Sequence, residues 1–502
     1  MGDPWLGAPA VLAGGPSQLL PAREQMAFTL GFHIILVPFG VAFTFLMLLA
    51  NYRGLRRGDA DCLLLARRWS HVSAVLFAVG AVSGTVLSFE LGLLWPGLMG
   101  RYGAAYGIPF AVEGLFFFLE AIFVAIYIYG WDRLPPWAHF WTGVPVVLSG
   151  IGGTLSVVAA NAWMNRPGGI TLRGGQVVAV RPLEVFFTGA FWYEALHMLL
   201  AAYIVAGFGV AGVYAAGQLR GRRDRYHRLG LAISFSVAAV ASPAQILVGD
   251  VAAREVFRHE PVKFAAIEAL TRTGTQVPER LGGVLVDGQL RYSLDVPSGA
   301  SLLAGYRPST RIRGLADFPA DARPADHLVT VVHLAFDLMV GIGFALLALS
   351  AWFAWSWWRG RRIPEGRWLL RATAVSGALA VVALEAGWVV TEVGRQPWTV
   401  VGLLRTSDAV ATSGNLWLFF AATLAIYAAV GAGTVLVLRL LSHRWRSRQV
   451  AAPGGAAGPG GPAGLGGAAG RGGPAGLGGT EPADSEVPYG PPADPGAAGG
   501  RA

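Results

Sequence analysis

Apolar residues in this chain gather into runs longer and more evenly apolar than the buried face of a soluble helix requires. A helix crossing the hydrocarbon of a bilayer takes about 20 mostly apolar residues. Nine stretches qualify: 27–50, 71–94, 108–130, 137–160, 186–215, 229–249, 328–355, 368–392 and 413–441. The pattern predicts an all-α, polytopic membrane protein with nine transmembrane helices, six within 27–249 and three within 328–441. Residues 1–26 read as a mixed N-terminal segment, and the first apolar run after them is too long for the h-region of a cleavable signal peptide. Residues 250–327 are the only long polar interruption. Residues 442–502 are a basic segment followed by a Gly/Ala/Pro tail, which cannot bury enough apolar surface to offset its ordering entropy and is expected to be disordered.

Composition supports the same class: 54% of residues are hydrophobic, only 14% are charged, and there are 17 tryptophans. The net charge of +9 comes from arginine, since Lys263 is the one lysine. The arginines sort by membrane side, which argues against nucleic acid as their partner. Arg53, Arg56, Arg57, Arg67 and Arg68 lie in 51–70; Arg220, Arg222, Arg223, Arg225 and Arg228 in 216–228; Arg359, Arg361 and Arg362 in 356–367. Arg444, Arg446 and Arg448 follow the last stretch, whereas the alternate loop read at 95–107 is poor in arginine. Arginine-rich short loops stay in the cytoplasm, so the N-terminus and 250–327 are expected outside and the C-terminus inside. Cys62 is the sole cysteine, which excludes intrachain disulfides, thiolate clusters and CxxCH haem attachment. Any iron would be held by His, Met or carboxylate.

Ionisable or metal-ligating groups at hydrocarbon depth are expensive and are therefore candidates for chemistry. His33 lies about 9 Å into the first stretch, His197 about 16 Å into the fifth and Met339 about 16 Å into the seventh, at about 1.5 Å per residue. An imidazole and a thioether at matching depth suit a six-coordinate low-spin haem. Met in an apolar helix is more often packing filler, a membrane His is often satisfied by a neighbouring helix, and His333 is a rival ligand on the same stretch. Glu113 and Glu120 are seven apart and share a face of the third stretch, as do Glu385 and Glu392 of the eighth. Such carboxylates suit a proton relay or a charged cofactor; the plain alternative is pairing with Arg on another helix. Arg395 at the outer boundary is placed for haem propionates, or for an ordinary boundary ion pair, and Pro397 is expected to stop the helix. Glu90 is expected near the outer end of the second stretch and less buried than the other carboxylates. His71, His139, His227, His259, His327 and His443 lie at or beyond the boundaries. In PVKFAAIEAL, Phe264, Ile267 and Leu270 repeat at the spacing of a short interfacial amphipathic helix. Lys263 and Glu268 on it would hydrogen-bond a quinol headgroup and take its proton, or form a solvated salt-bridging face.

Taken in order, the His33 segment, AVEGLFFFLEAIF, YGWDRL, ANAWMNRP, the His197 segment, KFAAIE, the Met339 segment and GWVVTEVGRQPW resemble the large subunit of cytochrome bd quinol oxidases. The likeness spans residues 20–445, and 250–327 resembles the family's quinol-binding loop in its short form. It implies that His197 and Met339 are the axial ligands of low-spin haem b. It implies that His33 and Glu392 ligate two high-spin haems, one of type b and the other haem d or a further haem b in its place. Glu113 and Glu120 would conduct protons near the oxygen-reducing haem, Arg395 would hold propionates, and Lys263 and Glu268 would bind and deprotonate quinol. Asp337 departs from the family, many members of which carry Arg two residues before the Met. SFELGLLWP resembles the branch often called cyanide-insensitive, some members of which carry haem b instead of d.

The implied activity is that of a respiratory terminal oxidase in the cytoplasmic membrane of a prokaryote. It would oxidise quinol outside, reduce O2 to water and build membrane potential by proton uptake from the cytoplasm. The implied partners are a second membrane subunit and a small single-helix subunit. A haem–copper oxidase would need clustered histidines, and neither HH nor a His-Pro-Glu run occurs. A bis-histidine cytochrome b would need two deep His pairs, where only His33 and His197 lie deep. The alternative from another class is a proton-coupled transporter without haem, whose stacked glutamates bind ions.

Overall fold

The computed structural model describes residues 16–412 and 414–451. Residues 1–15 of the expected external segment and the expected disordered tail from 452 lie outside the described residues. Thirteen α-helices occur among the described residues: α1 (Pro16–Arg57), α2 (Ala60–Leu94), α3 (Pro96–Gly130), α4 (Pro136–Asn165), α5 (Pro182–Phe186), α6 (Phe191–Leu219), α7 (Arg225–His259), α8 (Pro261–Ile267), α9 (Gly299–Gly305), α10 (Asp326–Gly360), α11 (Arg367–Val393), α12 (Thr406–Ala409) and α13 (Leu416–Ala451). Nine of them, α1–α4, α6, α7, α10, α11 and α13, are long and apolar enough to cross a membrane. Four two-stranded antiparallel sheets decorate the connections: β1 (Ile170–Arg173) with β2 (Gln176–Val180), β3 (Glu279–Leu281) with β6 (Leu294–Val296), β4 (Val284–Val286) with β5 (Gln289–Arg291), and β7 (Trp398–Val400) with β8 (Leu404–Arg405). The chain is an all-α polytopic membrane protein, as its apolar runs predict.

Several helices outrun the apolar windows. α1 begins at Pro16 instead of residue 27, and α7 continues to His259 instead of stopping near 249, so the polar insertion starts at about Glu260. The loop expected at 95–107 is helical, with only Trp95 between α2 and α3. Glycines and polar residues lower the mean hydropathy there, but Leu98, Tyr102, Ala105 and Tyr106 fall at helical spacing and are all buried. The expected fifth span starts later, at Phe191, after the separate short α5. α11 ends at Val393, where Gly394 N donates to Val390 O, so Pro397 lies in the following turn instead of stopping the helix.

Local chemistry explains the helix starts. Pro occupies the first turn of α3, α4, α5 and α8, where its missing N–H costs nothing. Asp59 and Asp224 cap α2 and α7 by accepting from Cys62 N and His227 N. Asp59 also accepts two 2.6 Å bonds from Arg225, which ties the α1–α2 turn to the start of α7.

Without a hydrophobic drive between helices in lipid, close backbone approach supplies the packing. At Gly377 of α11 a Cβ would stand 2.7 Å from Gly209 Cα of α6, and at Gly207 a Cβ would stand 2.7 Å from Ala238 Cβ of α7. Beside this contact Phe208, Phe235 and Phe353 fill the core, the last two stacked at 3.9 Å. By contrast, the most apolar windows of α2, α3 and α13 are only 11%, 6% and 6% buried, so these helices present broad apolar faces outward.

Gly377→Ala is expected to destabilise the detergent-solubilised protein by about 1–3 kcal/mol, because the added methyl meets backbone. Gly433→Ala, whose Cβ meets nothing within 4 Å, is the control, expected to stay within about 0.5 kcal/mol. Thermal unfolding reads both, and equal behaviour of the two variants would contradict the packing argument.

Candidate functional site

A cavity of about 560 Å³ lies among α1, α2, α3, α4 and α11. His33 of α1, Glu113 and Glu120 of α3, Glu392 of α11 and Arg395 just beyond it all line its wall. The structure therefore gathers five of the residues singled out in the sequence. His33 Nδ1 lies 2.8 Å from Ser83 Oγ, and its ring is admitted by Gly84, where a Cβ would stand 3.1 Å from Cε1. Glu392 accepts a 2.5 Å bond from Asn161 Nδ2 and a second from Arg395 Nη2. Arg395 is only 7% exposed, yet its Nε and Nη1 have no hydrogen-bond partner among the described residues. Arg23 of α1 also faces the cavity and donates to Gln396 Oε1. Glu385 does not line it; it sits against Gly31 of α1 with Oε1 buried and unpartnered.

His197 and Met339 lie apart from this cavity, in the bundle of α6, α7, α10 and α11. His197 Nε2 is 3.1 Å from the Gln245 side-chain nitrogen, and its Nδ1 is buried without a partner. Gly249 faces the ring edge, where a Cβ would stand 3.4 Å from His197 Cε1. Gly387 does the same for Met339, at 3.1 Å from Sδ. The rival His333 has no free nitrogen: Nδ1 faces Ile267 O at 2.7 Å and Nε2 faces Gly282 O at 3.0 Å. Its neighbour Asp337 accepts a 2.5 Å bond from Gly282 N, so this position anchors the polar insertion to α10.

The helix carrying Lys263 departs from expectation. All five residues from Lys263 to Ile267 of α8 are buried, so it is neither an interfacial amphipathic helix nor a solvated face. Nor do Lys263 and Glu268 meet. Lys263, 6% exposed, donates to Glu260 Oε2 at 2.5 Å and to Asn165 Oδ1 at 3.0 Å. Glu268, 3% exposed, turns instead toward Glu279 and Asp337 and keeps Oε1 unpartnered. Burial, and then the nearby carboxyls of Glu279 and Asp337, hold the Glu268 carboxyl well above the usual range. Glu279 is raised too, by burial and then by Asp337.

Other expectations need correcting. Glu90 is the most buried of the membrane carboxylates, at 1% exposed, because Gln25, in the part of α1 that precedes the expected stretch, and Thr29 within it donate to it at 2.8 and 2.6 Å. His139 lies in the first turn of α4, at the boundary as expected, and is buried there, its Nε2 2.7 Å from Tyr127 O. Sequence reasoning gave no role to Asn161, Asn165, Glu194 or Glu260. Asn165 Nδ2 donates at 3.0 Å to both Asn161 Oδ1 and Glu194 Oε1, and Glu260 Oε1 accepts from the Tyr193 hydroxyl. The asparagines stood in ANAWMNRP, but only their partners on other helices show what they do.

Comparison with known proteins gives the family. A family profile described as cytochrome bd terminal oxidase subunit I matches residues 21–444. A protein of Bacillus subtilis (strain 168), provisionally named cytochrome bd menaquinol oxidase subunit I, is 32% identical over 430 residues, covering 84% of this chain and 95% of that protein. The cytochrome bd ubiquinol oxidase subunit 1 of the same organism is 29% identical, covering 83% and 92%. A bd oxidase structure from Geobacillus thermodenitrificans superposes with a TM-score of 0.80 at 32% identity, covering 86% of this chain and 99% of that one. With its nine spans, its buried carboxylates and a profile match over most of its length, the chain belongs to the cytochrome bd terminal oxidase subunit I family.

Proposed function

We propose that this chain is the haem-binding catalytic subunit of a respiratory quinol oxidase, oxidising quinol and reducing O2 to water. The observation that carries the reading is the cavity that gathers His33, Glu113, Glu120, Glu392 and Arg395. Those residues fit haem. An imidazole and a carboxylate are iron ligands, and a buried guanidinium with two unpartnered nitrogens suits a propionate. The His197 site fits as well: its Nδ1 is a buried orphan, and glycines stand beside both His197 and Met339.

On this reading His197 and Met339 hold low-spin haem b, and His33 and Glu392 hold two high-spin haems, of types b and d or both b. Bound haem supplies one-electron redox chemistry and a place for oxygen. Asn161 aims the Glu392 carboxyl, and Arg395 neutralises propionate charge. Glu113 and Glu120, facing the cavity two turns apart, hold protons beside the reacting oxygen. Lys263 donates to a quinol oxygen, and Glu268 takes a quinol proton. Two quinols release four electrons and four protons; O2 takes up four of each and leaves as two waters.

The arginine-rich turns all join helices at one end of the bundle, which we assign to the cytoplasm of a prokaryotic cell. The quinol loop is then external. Moving each proton across 100 mV is worth about 2.3 kcal/mol, so external release and cytoplasmic uptake build membrane potential. The apolar outer faces of α2, α3 and α13 suit a second membrane subunit, a small single-helix subunit and lipid.

His197→Ala is expected to remove the low-spin haem band from the reduced-minus-oxidised spectrum of the purified oxidase, and quinol oxidation with it. His333→Ala is expected to keep the band, since both its nitrogens face carbonyls. An unchanged spectrum in His197→Ala would refute the ligand assignment.

A carboxyl whose pKa is raised accepts a proton only at higher pH. The acid limb of kcat/KM for quinol should therefore lie above the ordinary Glu value of about 4.3. Glu268→Gln should lower kcat/KM by about 10²–10⁴ and remove the limb. Glu279→Gln should move the limb to lower pH, because it deletes a neighbouring carboxyl that raises Glu268. A limb unmoved by either substitution would exclude Glu268 as the base.

A further inference from the structure

An unbroken string of polar contacts, buried at Lys263 and Asn165 and part-buried at Glu392, runs from the quinol loop to the cavity. Lys263 Nζ donates to Asn165 Oδ1 at 3.0 Å, Asn165 Nδ2 donates to Asn161 Oδ1 at 3.0 Å, and Asn161 Nδ2 donates to Glu392 Oε1 at 2.5 Å. The string has a direction. An ammonium only donates, an ionised carboxylate only accepts, and an amide does one at each end. With Lys263 at one terminus and Glu392 at the other, both asparagines must point their oxygens toward the lysine and their nitrogens toward the glutamate. Flipping either amide sets donor against donor. Asn165 is 1% exposed, so the bulk solvent does not compensate a broken contact.

The same geometry aims the lysine. Of its three N–H donors, one goes to Glu260 and one to Asn165, which leaves one for a substrate oxygen. Directed hydrogen bonds in series polarise one another, so a change at that third donor reaches the Glu392 carboxyl.

We propose that Asn165 and Asn161 are positioning residues that couple the quinol-binding lysine to Glu392, so that occupation of the quinol site alters the environment of the cofactor held against Glu392. This rests on the reading of Lys263 as the quinol contact and of Glu392 as a cofactor ligand. If the asparagines only tie α4 to α11, substituting them affects assembly and leaves no link between the two ends.

The test uses the assembled oxidase with a short-chain quinol as substrate and the corresponding oxidised quinone as ligand. KM is measured by turnover. The reduction potentials of the high-spin haems are measured by spectroelectrochemistry, with and without saturating quinone. In the wild type, quinone is expected to shift the potential of one high-spin haem. Lys263→Ala and Asn165→Ala should each raise KM about tenfold or more, the loss expected for a hydrogen bond to a charged group. The quinone-induced shift should vanish in Asn165→Ala and in Asn161→Ala, with KM rising less in the latter. Asn165→Asp keeps an acceptor for Lys263 and removes the donor toward Asn161. It should hold KM near wild type yet lose the shift, and it keeps the test readable if Asn165→Ala fails to assemble. The coupling is overturned if the wild type shows no shift, if the shift survives both asparagine substitutions, or if Asn165→Ala leaves KM unchanged while Lys263→Ala raises it. An unchanged KM in Lys263→Ala would instead strike down the quinol reading of that lysine, and the inference with it.

Discussion

The organising constraint in this molecule is the cost of placing ionisable groups where water cannot solvate them. Most such groups here are compensated by neighbours on other helices. Glu90 is held by Gln25 and Thr29, His139 faces a backbone carbonyl, His333 faces two, and Lys263 is shared between Glu260 and Asn165. Others keep a buried atom without a hydrogen-bond partner, among them one nitrogen of His197, two of Arg395, and an oxygen each of Glu268 and Glu385. Unpartnered buried atoms also occur elsewhere, at Gln18, Asn51, Thr188 and Gln218 for example, so such an atom points to a ligand or a proton only where it lies beside a cavity or a metal-ligating group, as at Arg395 and His197.

The nine spans were legible because long apolar runs report membrane crossing directly. Their ends were not. The first turns of α1 and α3 are held by packing of a few periodic side chains rather than by hydropathy, so a window average misses them. One of the two side chains that donate to Glu90, Gln25, sits in that part of α1, so its burial does not show in the hydropathy pattern. The carboxylates of α3 and α11 were legible as pairs from seven-residue spacing, but only the structure shows that Glu392 reaches the cavity and Glu385 does not. Spacing fixes a face of a helix; it does not say what the face meets.

The polar insertion was harder still. Lys263 and Glu268 are five residues apart and invite a joint role on one surface, yet α8 is buried and sends them to different partners. Lys263 looks inward to Asn165 at the end of α4, whereas Glu268 looks to β3 and α10. Nothing in the local sequence of α8 reports those contacts, the first of which joins residues 98 apart. Asp337, read as a departure from the family at a propionate position, does a different job here, fastening the insertion to α10 through Gly282 N.

The central claim is that iron porphyrin occupies the cavity bounded by His33 and Glu392. The most direct measurement is an experimental map of the assembled oxidase that locates iron, by anomalous scattering at the iron edge or by cryo-electron microscopy. The account predicts iron in that cavity, bound by one or both of these side chains, with a propionate on Arg395. A cavity holding only lipid or water, with every iron elsewhere, would contradict it.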